Sequence, residues 1–214
     1  MTETQTVETQ IFEPEGRAIP YVEDAGSVPV LVLLPGRSNV AALGTLAHVL
    51  NEEDFRIVRI GYRSGSADGV SLRDLAHDVI DVLDHLGIGD AWIGGHGFGG
   101  AVARTLSITH TDRVDGVLLL GTEGPEPRDG LEPLLASAAA SATADEWQAF
   151  APTVPIMLIQ GGDDDVTPPE NGERLRDAAP HLVSLVTIPG GGHLFPATHA
   201  LAVAEVIEDY LDVD

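Results

Sequence analysis

Short, unbroken apolar runs alternate along the chain with longer stretches in which apolar residues recur every three or four positions. Val28-Pro-Val-Leu-Val-Leu-Leu34 is the clearest run, the pattern of a strand buried on both faces, and Gly36 ends it. Two short extended segments, 9–13 and 17–23, precede it. A helical stretch over 39–51 leads into a strand over 55–61. The next helix places Leu72, Leu75, Val79, Val82 and Leu86 on one face, with Ser71 as its N-cap and Gly87 as its stop. The alternation continues with a strand at 91–95, a helix at 98–110 and a strand at 116–120. Strands at 154–160 and 182–188 flank a helix at 171–178, and a helix at 200–211 follows.

Parallel strands need crossover connections, and helices supply them while covering the sheet. The order therefore predicts one α/β domain over residues 1–214: an open, mostly parallel sheet of about eight strands with helices on both faces. Active sites in such sheets lie at the C-terminal ends of the strands. Residues 123–153 break the alternation, first rich in Pro and Gly and then in Ala, and read as a small helical lid. Trp147 and Phe150 either face a ligand from that lid or dock it to the body.

Composition narrows the partners. With 34 acidic and 11 basic residues the formal charge is −23, which repels phosphate backbones and anionic lipid surfaces. Nucleic acid and membrane are thus unexpected as partners, and oligomeric state is left open. Every basic residue is Arg. Cysteine is absent, so the chain has no disulfide, thiolate nucleophile or thiolate metal site, in keeping with a reducing compartment. Residues 1–5 lack the basic and apolar regions of a secretory signal, and no apolar run is long enough to span a bilayer, so a cytoplasmic location is expected.

The chemistry concentrates in Trp92-Ile-Gly-Gly-His-Gly-Phe-Gly-Gly100, a strand followed by a glycine-rich turn and a helix. This segment resembles the nucleophile elbow of the α/β-hydrolase family, in which Gly-His-Ser-x-Gly-Gly holds an exposed serine on a strained strand-to-helix turn. Gly97 stands where that serine belongs. After the strand at 154–160, Gly161-Gly-Asp-Asp-Asp-Val-Thr-Pro168 is similar to the family's Gly-x-x-Asp-x-Val-x-Pro turn, and the resemblance makes Asp164 the acid. After the last strand, Pro189-Gly-Gly-Gly-His193 looks like the loop presenting the family's base, His193. The chain order nucleophile, acid, histidine matches the family's.

By the same resemblance, the backbone N–H groups of Phe98 and Arg37 would form an oxyanion hole, although Pro35 departs from the His-Gly usual there. Ser38, Trp147, Phe150 and Phe195 are the candidate contacts for a small acyl or apolar ligand. The implied lineage is that of hydrolases of small carboxylic esters, needing no cofactor. A glycine closes the covalent route at residue 97 and leaves Asp164 and His193 to act on water, or leaves a silent binding protein or sensor. Epoxide hydrolases and dehalogenases carry Gly-His-Asp at the elbow, but with larger caps than 123–153, which favours a serine ancestor.

Gly95-x-Gly97-x-x-Gly100 also fits the dinucleotide fingerprint, with Glu123 about twenty residues on. That fingerprint normally follows the first strand of its unit, whereas strands precede this one, and it leaves the Asp164 and His193 turns unexplained. The run Asp163, Asp164, Asp165 reads as a solvated turn rather than a metal site. His96 is expected to pack beside the elbow, His199 to cap the last helix, and His48, His77, His85, His110 and His181 to lie at the surface.

Overall fold

A computed structural model describes residues 8–211, so residues 1–5, considered above as a signal, lie outside it. Eight strands form one sheet: β1 (Gln10–Phe12), β2 (Ile19–Asp24), β3 (Ser27–Leu34), β4 (Phe55–Ile60), β5 (Ala91–His96), β6 (Val114–Leu120), β7 (Ile156–Gly161) and β8 (Val183–Ile188). Their spatial order is β1-β2-β4-β3-β5-β6-β7-β8. β2 pairs antiparallel with β1 and β4, and the remaining neighbours are parallel. The predicted alternation is therefore observed, with an antiparallel edge added by the first two strands.

Eight α-helices accompany the sheet among the described residues: α1 (Gly44–Glu52), α2 (Leu72–His85), α3 (Phe98–Thr109), α4 (Pro133–Ser141), α5 (Ala144–Gln148), α6 (Pro169–Ala178), α7 (Phe195–Thr198) and α8 (Ala200–Leu211). Ser71 caps α2 through a reciprocal pair with Asp74, satisfying end N–H groups that the helix itself leaves unpaired. The stretch predicted as one helix over 39–51 divides in two. Asn39 accepts from the N–H of Ala41 and winds Val40–Leu43 into a 3₁₀ turn before α1 begins.

The sheet separates two apolar clusters. One gathers Val32, Leu119 and Leu158 from the strands with Leu75, Val79, Val102 and Leu106 from α2 and α3. The other gathers Leu31, Leu33 and Leu118 with Leu46 and Leu50 of α1 and Val203 and Ile207 of α8. This two-sided burial explains why the central strands read as continuous apolar runs rather than alternating ones. At the β2 edge, Asp78 of α2 accepts from Arg17 and from both Nε and a terminal nitrogen of Arg63, tying loop to helix. The segment expected to be a lid, residues 123–153, carries two helices, split where Thr143 and Glu146 form a second reciprocal cap for α5.

Candidate active site

The C-terminal ends of β5, β6, β7 and β8 bring four loops together. Between β5 and α3 the chain turns through a single residue, Gly97, at φ +52° and ψ −115°. An L side chain adopts such a backbone only under strain, so glycine relaxes the bend. The flanking glycines serve a different need. A Cβ on Gly95 would fall 2.2 Å from the carbonyl carbon of Gly99, and one on Gly99 would fall 2.3 Å from the Leu34 oxygen. Strand and helix thus approach closely enough to aim the α3 N-terminus, with the Phe98 N–H, at the bend.

Asp164 sits on the β7–α6 loop with its side chain fully buried. Its Oδ1 accepts from the N–H groups of Val166 (2.9 Å) and Thr167 (2.8 Å). Its Oδ2 accepts from the Thr167 hydroxyl at 2.6 Å and lies 3.2 Å from His193 Nδ1. Burial alone would raise this carboxyl, but the bonds from His193, Thr167 and Val166 outweigh it and bring its pKa down to about 2. An ionised Asp164 fixes Nδ1 as the protonated nitrogen of His193, leaving Nε2 to face the site. The ring's Cε1, bonded to Nε2, lies 3.8 Å from where a Cβ at residue 97 would sit.

His96 holds this arrangement from below. Its Nε2 is 2.9 Å from the backbone oxygen of His193, which can only accept, so Nε2 carries the hydrogen. The two imidazoles are 4.6 Å apart. Burial, and then the neighbouring His193, lower the pKa of His96 to about 4, so it is neutral near pH 7.

The fourth loop supplies what the sequence did not announce. Glu123, beyond the end of β6, is buried and turns Oε1 to within 3.4 Å of the Cβ position at residue 97. Arg128 places Nε 3.1 Å from that oxygen, and its terminal nitrogen lies 4.0 Å from the same Cβ position. Neither atom makes an aligned hydrogen bond, so the pair is held by charge and proximity. Burial raises the pKa of Glu123, with Arg128 opposing the shift. An acidic residue just past a strand end, in a fold that gathers its sites there, was the available signal.

Family-model comparison matches residues 29–142, more than half of the chain, to the alpha/beta hydrolase fold family. The chain belongs to the α/β-hydrolase family. Residues 136–213 match a second model, described as TAP-like protein. Among curated relatives of this α/β-hydrolase is a Haemophilus influenzae protein named "Putative esterase/lipase", 21% identical, with 89% of this chain and 86% of that protein covered. Among solved structures, a bromoperoxidase from Bacillus anthracis superposes with a TM-score of 0.80 at 19% identity, covering 96% of this chain and all of the other. A thermophilic esterase from Thermogutta terrifontis does so at 0.78 and 18%, covering 96% and 98%.

Within this α/β-hydrolase fold, Gly97, Phe98, Asp164 and His193 converge. The other predicted contacts scatter. Arg37 and Ser38 are exposed on the loop after β3, where the Ser38 N–H donates to Glu132 at 3.1 Å. Trp147 is buried against Phe98 and donates Nε1–H to the Gly124 oxygen, so it docks the lid. Phe150 lines a cleft beside Glu123. Phe195 needs correcting as a ligand contact: it is fully buried in the apolar cluster shared with α1 and α8, because the tight Gly161 and Gly191 backbones close over its ring. Asp163 and Asp165 are exposed, and no group of three or more His, Asp or Glu suited to a metal occurs among the described residues. No helix among them is long and apolar enough to cross a membrane.

Proposed function

We propose that this chain descends from serine-dependent hydrolases of small carboxylic esters, and retains an acid–base pair without the nucleophile it once served. The observation that carries this reading is the alignment of Asp164, His193 and the bend at Gly97: a hydrogen-bonded pair whose imidazole edge ends 3.8 Å from where a side chain at 97 would begin. His193 Nε2 is the base of this arrangement, Asp164 orients the ring and stabilises its charged form, and the Phe98 N–H at the start of α3 receives the developing oxyanion. With no oxygen at residue 97, the remaining route is direct attack by a water that His193 deprotonates. Sites stripped of one triad member retain roughly 10³–10⁴-fold rate enhancement over water, which sets the scale of the activity.

A second reading, a silent binder of small ligands, draws support from Glu123 and Arg128. Together they approach the position from which the serine would have acted. The two readings part in one assay. Under the first, the unmodified chain hydrolyses p-nitrophenyl acetate slowly and Gly97→Ser raises the rate by roughly 10³-fold or more. Under the second, the chain is inert and binds without turnover. If Gly97→Ser is folded yet no faster than the unmodified chain, the ester-hydrolase lineage is wrong.

A further inference from the structure

A cleft of about 170 Å³ lies beside Glu123, and Arg128 is not among the residues that line it. Arg104, from the second turn of α3, lines it and is 4% exposed. One terminal nitrogen of Arg104 donates to the Trp147 oxygen at 2.9 Å, but its Nε is buried with no hydrogen-bond partner. Burial lowers the pKa of Arg104 to about 10, which leaves it protonated near neutral pH. Arg104 thus brings to the cleft wall a buried cation whose hydrogen-bonding capacity the fold leaves partly unused, a costly state that an acceptor in the cleft would relieve. Arg174 stands exposed at the rim, bonded to Asn171. Phe150 and Leu175 supply apolar walls.

The charge balance points the same way. In a chain of net charge −23, two of the 11 arginines, Arg104 and Arg174, line this one cleft, and a third, Arg128, pairs with its carboxylate. Glu123 is the single acid lining the cleft and Arg128 pairs with it from outside, so two units of positive charge line the cleft against one of negative. We propose that the cleft is a binding site for the carboxylate of a small organic acid with a short apolar body, its head on Arg104 and Arg174 and its body against Phe150 and Leu175. A planar carboxylate matches the forked guanidinium geometry. A phosphate dianion would meet stronger repulsion from Glu123 and has no use for the apolar wall. This site requires no turnover at Gly97 and stands or falls apart from the proposed hydrolysis.

The test is calorimetric titration of the full chain with sodium butyrate and, at equal ionic strength, with butyramide, which has the same body without the charge. Butyrate is expected to bind in a saturable way, at least tenfold more tightly than butyramide, and Arg174→Gln to weaken it about tenfold. Arg104→Lys keeps the charge, removes the Nε donor and covers the case in which Arg104→Gln fails to fold. It is expected to weaken butyrate while leaving butyramide unchanged. Equal binding of acid and amide, no saturable binding of butyrate, or butyrate affinity untouched in both Arg174→Gln and Arg104→Lys would overturn the assignment, whatever ester assays on Gly97→Ser give.

Discussion

On one side of the bend at residue 97, Asp164 accepts hydrogen bonds from two backbone N–H groups, a threonine hydroxyl and an imidazole, and its pKa falls to about 2. On the other side, Glu123 is also buried beside a cation, yet its Oε1 lacks an aligned donor and burial pushes its pKa up. Two carboxylates of one site thus titrate in opposite directions. The difference lies in their supports. Asp164 is held by backbone within its own turn, so its donors are fixed by the fold. Glu123 depends on one flexible side chain from the start of the lid. Charge alone does not make a carboxylate a working acid; oriented donors do.

Gly97→Ser is expected to gain activity by the factor given above while losing about 1–3 kcal/mol of stability, because φ +52° strains a residue bearing a side chain. A thermal scan alongside the ester assay checks both. In that background, Asp164→Asn should lower kcat by roughly 10²–10⁴-fold, since the imidazole loses the acceptor that selects its tautomer. The corresponding change at the second carboxylate, Glu123→Gln, is expected to lower kcat far less; an equal loss would mean that Glu123 serves His193 as Asp164 does.

Stability effects are smaller. Glu123→Gln leaves Arg128 and Arg104 near an uncharged group and should cost about 1–3 kcal/mol in urea denaturation. A double-mutant cycle with Arg128→Gln should recover a coupling of about 1 kcal/mol if the pair contributes as drawn. The smallest effect concerns pH. His96 has its pKa depressed from 6.5 to about 4, so between those values the unfolded chain binds a proton that the folded chain does not. Its contribution to stability is full above pH 6.5 and is lost as pH falls towards 4. His96→Gln, which keeps the donor to the His193 oxygen, should flatten that part of the stability profile.

Much of this was legible in the residues. Apolar runs gave the central strands, because burial on both faces leaves no polar alternation, and Ser71 announced the start of α2. The turns bearing Asp164 and His193 were readable because Gly161 to Pro168 and Pro189 to His193 resemble the family's acid and histidine loops. What escaped were directions of side chains from loops. Nothing local says that Glu123 points at residue 97, that Arg128 follows it, or that Phe195 turns into the core, since tertiary packing decides each. The division of the lid was different: Thr143 and Glu146 spell a reciprocal cap that was there to be read.

Whether His193 is still poised to activate an oxygen at residue 97 can be read by treating Gly97→Ser with a fluorophosphonate and locating the adduct by peptide mass spectrometry. Rapid modification at residue 97 is expected, slowed strongly by adding Asp164→Asn and absent from the unmodified chain. A folded Gly97→Ser protein that stays unlabelled, or that labels equally fast with Asp164→Asn, would contradict that expectation.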